Sequence, residues 1–313
     1  PTHRRIVALQ AAGAALQYDE QATQAALDEL EQLAPGTPMG YFTVGHYLAG
    51  ARQYDESEAM LRKAIARSPN WPGAHVELGL MLMQAGKDQA SLAALSTAAR
   101  LDPFNLAASN QLQLIEEMLG YKRIETERFI IRFKEGIDEV LARDMALEMD
   151  DMSKIVTDNF DHVPSRRTSI EIMPDERRFG VRITGMPDIW TIAACTGDVI
   201  AMTPPRDGPR QRGPYDWRRV LLHEYTHTVT LDQTKYRIPH WFTEACAVSQ
   251  EPGGRDWSTY QLLASALNND KLFGLKDINW GFVRPRTPQD RPLAYAQSHW
   301  MVQYIQTRWG QQA

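Results

Sequence analysis

At 313 residues the chain exceeds one ordinary domain and is long enough for two. With 43% hydrophobic and 23% charged residues it has the balance of a globular protein with ample core. No run approaches about 18 uninterrupted apolar residues, so no membrane span is expected. The net charge of -5 argues against general nucleic-acid binding, which needs a basic footprint. The two cysteines, Cys195 and Cys246, read as buried free thiols rather than a disulfide framework. The chain begins at Pro1 instead of methionine, so a leader peptide is not readable from it. The closing "RWGQQA" follows directly on a helical pattern, so further sequence is expected beyond it.

The first third is periodic. Pro35, Pro69 and Pro103 are each 34 residues apart, and Gly45/Gly79, Ser57/Ser91, Leu61/Leu95 and Ala64/Ala98 fall in the same register. Small residues let paired helices approach closely, and a proline just past the second helix ends it at no cost in hydrogen bonds. The segment "AHVELGLMLMQAGKDQASLAALSTAARLDPFN" closely resembles the tetratricopeptide repeat, an antiparallel helix pair that stacks into a solenoid. The first unit is weaker, with Ala11 in place of the glycine, so two and a half to three repeats are expected within 1–104. The run "NLAASNQLQLIEEML" adds a capping helix. Such solenoids bind a partner in a groove or serve as scaffold for the next domain, and both readings stand. Tyr41, Tyr47, Tyr54 and Trp71 are the groove candidates, with packing as the alternative.

From Tyr121 the pattern changes. "ERFIIRF" and "TSIEIM" alternate as strands, and 136–160 has helical spacing between them. A glycine-punctuated loop then leads to "DIWTIAACTGDVIAM", two short strands turning near Thr196, Gly197 and Asp198. Trp190 to Met202 can therefore offer an edge to an extended substrate, or close the sheet with Ile189, Ile192 and Ile200 in the core. Helices follow near 216–231, 240–250, 256–269 and 292–309. The expected class is α+β: a helical repeat domain over 1–120, then an α+β domain over 121–313. Arg206, Arg210, Arg212, Arg218 and Arg219 crowd the loop before the first of these helices, as solvated surface or as a site for acidic substrates.

That helix carries "VLLHEYTHTVTL". His223 and His227 lie one turn apart on one face, where both imidazoles can meet one ion. Glu224 is rotated about a quarter turn away, placed to take a proton from a metal-bound water. A third protein ligand is needed. Glu244 in "HWFTEACAV" sits on an apolar helical face where a carboxylate is costly to bury unless paired or metal-bound. His240 competes, but beside Pro239 a substrate-side or surface role fits it better.

H-E-x-x-H followed by W-F-x-E-A on the next helix resembles the gluzincin metallopeptidases, and most of all the peptidase MA-like domains joined to tetratricopeptide repeats. The likeness spans roughly 121–310. It implies a zincin-like fold and one Zn2+ held by His223, His227 and Glu244, with Glu224 as general base. It also implies an edge strand before the motif and a donor for the developing oxyanion. On the last helix Tyr295 is similar to the tyrosine of such domains, and His299 one turn later is the alternative. Export from a bacterial cytoplasm is a further expectation of this architecture. There is no G-A-M-E-N-type exopeptidase motif, which favours endopeptidase action. Val248 stands four positions after Glu244, so no supporting carboxylate is evident there, and Asp232 serves only if the chain turns back.

The leading expectation is therefore a zinc-dependent peptidase acting on a peptide or protein, with the repeats presenting substrate or a partner. Its competitors are an interaction protein with a regulatory or inactive metallopeptidase fold, and metal-assisted hydrolysis of a non-peptide bond.

Overall fold

The computed structural model describes residues 2–189, 191–253 and 255–310. Seven consecutive helices come first: α1 (Thr2–Leu16), α2 (Glu20–Leu33), α3 (Met39–Gly50), α4 (Tyr54–Arg67), α5 (Pro72–Gln84), α6 (Asp88–Leu101) and α7 (Leu106–Met118). Then come β1 (Lys122–Glu125), β2 (Phe129–Phe133), α8 (Asp138–Phe160), β3 (Thr168–Ile172), α9 (Glu176–Thr184), β4 (Ala193–Cys195) and β5 (Val199–Met202). The chain ends in α10 (Trp217–Gln233), α11 (His240–Gln250), α12 (Trp257–Asn268), α13 (Ile278–Val283) and α14 (Asp290–Trp309). The architecture is α+β, with a helical N-terminal region. Among the described residues no helix is long and apolar enough to cross a membrane. Two compact units emerge: Pro1–Glu125 with Ile130–Arg143 and Ser169–Gly213, and Thr126–Phe129 with Asp144–Thr168 and Pro214–Ala313.

In the first unit, α1/α2, α3/α4 and α5/α6 are three helix pairs, so the repeat that is weak in sequence is complete. The 34-residue period has a physical basis in the last two. Ser57 Oγ donates to the Gly45 carbonyl and Ser91 Oγ to the Gly79 carbonyl, each at 2.7 Å. A Cβ on Gly45 would sit 2.8 Å from Leu61 Cγ, and one on Gly79 2.6 Å from Leu95 Cγ. Only glycine allows helix partners this close.

The sheet has the order β1-β2-β3-β5-β4. β1 and β2 are antiparallel, β3 and β5 parallel with Ile170 opposite Ile200, and β4 pairs antiparallel with β5. Both readings of the hairpin keep their basis: β4 is an edge strand, and Ile200 is wholly buried. Trp190 lies outside the described residues. The segment read as a glycine-punctuated loop instead contains α9. Asp175 caps it by accepting from Arg178 N, and Gly185 ends it at φ 79°. Its Arg182 is fully buried and donates to Glu171 Oε2 at 2.6 Å, while Glu171 Oε1 takes Arg132 at 2.9 Å. This buried pairing fixes α9 to β3.

The solenoid grips the β4–β5 turn. Tyr54 donates its hydroxyl to the Thr196 carbonyl at 2.7 Å, and Arg52 Nη2 donates to the Cys195 carbonyl at 3.3 Å. Thr196 Oγ1 donates to the Gln84 carbonyl at 2.7 Å, and Gln84 Nε2 to the Ile183 carbonyl at 3.1 Å. Of the other groove candidates, Trp71 packs on Phe42 with centroids 4.4 Å apart, and Tyr41 lies under Arg67 and Lys63. Tyr47 is exposed. Cys195 and Cys246 are buried thiols that form no disulfide among the described residues.

Candidate metal centre

The site belongs to the second unit and rests on three helices. α10 starts where the Asp216 carboxylate accepts from Arg218 N and Arg219 N. Its apolar face buries Leu221, Tyr225 and Val229, with Tyr225 packed on Phe129 at 5.1 Å. Its buried threonines hand their hydroxyls to carbonyls one turn back, Thr226 to Leu222 and Thr230 to Thr226. α11 starts directly after Pro239, whose fixed φ suits a helix entrance.

These helices bring His223, His227 and Glu244 together, with one ligand atom from each lying within 4.8 Å of the others. The two Nε2 atoms are 3.3 Å apart, and each is 3.5 Å from Glu244 Oε2. Two donors held about 2.0–2.1 Å from one tetrahedral ion stand about 3.3 Å apart, so the triangle has the dimensions zinc asks for. Glu244 Oε2 is a buried oxygen with no hydrogen-bond partner among the described residues, an arrangement that a bound cation relieves.

The far side of each ring sets its tautomer. His223 Nδ1 lies 2.8 Å from Glu251 Oε1, and Glu251 Oε2 takes Arg219 Nε at 2.6 Å. His227 Nδ1 lies 2.8 Å from Thr243 Oγ1, which is 2.8 Å from Thr230 Oγ1. Since Thr230 donates onward to the Thr226 carbonyl, the chain runs outward from His227 Nδ1–H, leaving both Nε2 lone pairs for a ligand. Burial disfavours the His223 cation, but Glu244 and Glu251 outweigh it and hold its pKa up at about 10, so a metal ion binding at Nε2 displaces a proton there. Burial likewise opposes ionisation of Glu244, yet His227, His223 and His240 hold its carboxyl well below the usual range.

Glu251 and Thr243 were not singled out in the sequence. Glu251 stands seven residues after Glu244, two turns along the same face, whereas the position four residues on is Val248. Asp232 is elsewhere: it takes His162 Nε2 at 2.7 Å and Ser165 Oγ at 2.9 Å.

Glu224 is buried, and its carboxylate makes no hydrogen bond or ion pair with any described residue. Tyr295 on α14 packs edge-on against Phe282 at 4.8 Å. Burial, then the nearby carboxylates of Glu244 and Glu224, push its phenol above the ordinary value, so it stays a donor. His240, read as a substrate-side or surface residue, is the first residue of α11. It is half-buried, with Nε2 3.6 Å from Glu244 Oε1. The arginine run is largely committed to the chain's own groups: Arg206 to Asp138, Arg212 to Glu176, Arg218 to Glu148 and Arg219 to Glu251.

Two histidines one turn apart, a glutamate from the next helix and a free carboxylate beside them define a metallopeptidase-like centre. Residues 213–313, which contain all of them, match the sequence profile described as Peptidase MA superfamily. No curated protein matches the chain. Among solved structures, an O-GlcNAc transferase mutant of Thermobaculum terrenum is similar at 23% identity over 37% of this chain, with a TM-score of 0.30. The match spans 22% of that structure's length.

Proposed function

We propose that the chain is a zinc-dependent peptidase of the gluzincin kind, acting within peptides. The observation that carries this is the triangle of His223 Nε2, His227 Nε2 and Glu244 Oε2, with the unpaired carboxylate of Glu224 one residue from the first ligand. Zinc bound there supplies a Lewis acid that polarises the scissile carbonyl and makes water acidic enough to attack near neutral pH. Glu224 takes the proton of the attacking water and returns it to the leaving amine. Tyr295, held protonated, donates its hydroxyl to the oxygen on which charge develops. Glu251 and Thr243 keep the two imidazoles turned toward the ion. The repeats hold the β4–β5 turn through Tyr54 and Gln84.

The test pairs metal analysis with cleavage of a peptide library by wild type and Glu224→Gln. Wild type should carry about one zinc per chain and cleave internal bonds. Glu224→Gln should keep the zinc and lose at least about a thousandfold in kcat. A zinc-loaded wild type that cleaves no member of the library rules the reading out.

A further inference from the structure

Of the arginine run before α10, Arg206, Arg212, Arg218 and Arg219 pair with carboxylates of the chain, and Arg210 does not. Its backbone is nevertheless held on both sides. The Arg210 carbonyl accepts from Glu176 N at 3.1 Å, and the next residue, Gln211, donates Nε2 to the Pro174 carbonyl at 2.8 Å. Between these ties Arg210 takes φ 61°, a left-handed conformation that a residue with a Cβ enters at a cost. The corner therefore fixes the position of an arginine whose guanidinium the fold itself does not use.

Arg210 lines a pocket of about 220 Å³ in the first unit, together with Arg177 and Arg178 of α9 and Asn110, Gln113 and Glu117 of α7. Among the described lining residues Glu117 is the one carboxylate, and it is already taken. Arg178 Nε reaches its Oε2 at 2.8 Å, and Lys134 Nζ reaches its Oε1 at 2.9 Å. Arg178 is held a second time by Asp175 through Nη1. The side chains of Arg177 and Arg210 make no hydrogen bond or ion pair with a described residue. Both residues are exposed, so their donors are open to a ligand arriving from solvent. In a chain of net charge -5, two positive charges thus line one small pocket with no counter-charge among the described residues.

We propose that Arg177, Arg178 and Arg210 form a binding site for a phosphate monoester. Guanidinium forks meet phosphate oxygens through paired, charge-assisted hydrogen bonds. Charge and size choose among the anions. A phosphate monoester carries close to two negative charges near neutral pH and offers three acceptor oxygens, which suits two unpaired guanidinia, whereas a carboxylate brings half that charge. Drug-sized ligands fill about 300–1,000 Å³, so this pocket takes the phosphate and little of what bears it. The phosphate comes either on a small ester or on a phosphorylated side chain, and the site reads the group they share. The inference stands whether or not the metal centre cleaves peptides.

Calorimetry on the full, zinc-loaded chain tests it, with Glu224→Gln as the background so that no peptide is cleaved. The probes are glycerol 3-phosphate and an N-acetylated hexapeptide amide with a central phosphoserine, and the controls are glycerol and the same peptide with serine. A phosphorylated probe should bind with a Kd of about 1 mM or tighter, and about tenfold or more tighter than its control. The probe that binds more tightly names the source of the phosphate, and equal binding of the two shows that the phosphate alone is read. Arg177→Gln and Arg210→Gln should each weaken that binding about tenfold, and Arg210→Lys should lose less because it keeps the charge. Unchanged thermal melting certifies the fold, since neither side chain bonds to a described residue. The variants also separate this site from phosphate bound directly to zinc, because such binding would survive all three substitutions. Phosphorylated probes that bind no better than their controls, or binding that survives Arg177→Gln and Arg210→Gln, overturn the site.

Discussion

His223 has an acceptor at each end: Nε2 faces Glu244, and Nδ1 is held by Glu251, itself held by Arg219. Replacing Glu251 with glutamine keeps the shape but removes the charge that makes the imidazole a better ligand. Such outer partners are commonly worth about 10–100-fold in metal affinity, and that loss is expected for Glu251→Gln. Zinc competition with a fluorescent chelator reads it directly, and an unchanged affinity would make Glu251 a mere cap of α11. Tyr295 calls for the opposite pattern. A donor used only as charge develops affects turnover and not substrate binding, so Tyr295→Phe should lower kcat about a hundredfold at nearly constant KM. A rise in KM alone would mark Tyr295 as a packing residue. The grouping of His223, His227 and Glu244 was legible in sequence because two short motifs fix residue types at helical spacings. Glu251 and Thr243 were not, because an orienting partner needs only to reach a ring nitrogen, and many positions on a neighbouring turn can do so.

Elements built from repeated apolar spacing were readable, while those stabilised by polar pairs were not. The helix pairs of the solenoid are stated twice over by Gly45/Ser57 and Gly79/Ser91. Gly79→Ala forces a methyl against Leu95 and should cost about 1–3 kcal/mol in urea unfolding. Gly13→Ala, where a Cβ meets nothing within 4 Å, should instead be neutral or mildly stabilising. α9 escaped notice because Gly180 and Gly185 read as loop punctuation. Its real anchors are ionic: Arg182 with Glu171, and Arg178 with Glu117 of α7 at 2.8 Å. β1 was missed because its residues are mostly exposed and carry charge, leaving no alternation to read. Around Glu117, burial opposes the charge, but Arg178 and Lys134 outweigh it and lower the pKa below 4.5. A depressed carboxyl contributes stability that is present above the unfolded pKa and lost as pH falls through the folded one. Glu117→Gln should therefore cost about 1 kcal/mol near pH 7, and the gap to wild type should narrow as pH falls through the lowered pKa. Urea midpoints measured from neutral pH downward check it; a gap that stays constant as pH falls would point to packing rather than charge.

At the scale of the whole chain the question is what three repeats are for. A solenoid that serves as an independent binding module keeps its groove open and can be removed without harm to its neighbour. Here Arg52, Tyr54 and Gln84 of the repeats are engaged with the β4–β5 turn and α9, and the repeats share a compact unit with most of the sheet. The core agrees. Leu114 and Met118 of α7 cluster with Met173, Phe179 and Ala201, so apolar surface of the sheet side is covered by a helix of the solenoid side. Deleting residues 1–104 removes the groove's hydrogen bonds and bares the face of α7 that packs on α5 and α6, where Ile115 meets Met83 and Leu95. The truncated chain should fail to unfold cooperatively in calorimetry and should bind a hydrophobic dye, although the H-E-x-x-H helix is untouched in sequence. Tyr54→Phe is the graded version: it deletes one hydroxyl and leaves the Thr196 carbonyl short of a donor, at a cost of about 1 kcal/mol in urea unfolding. If 105–313 instead folds, loads zinc and cleaves peptides as wild type does, the repeats are a separable module and their exposed residues, Tyr47 among them, become the place to seek a partner. The first outcome is favoured because Arg52, Tyr54 and Gln84 already donate to the chain's own backbone carbonyls.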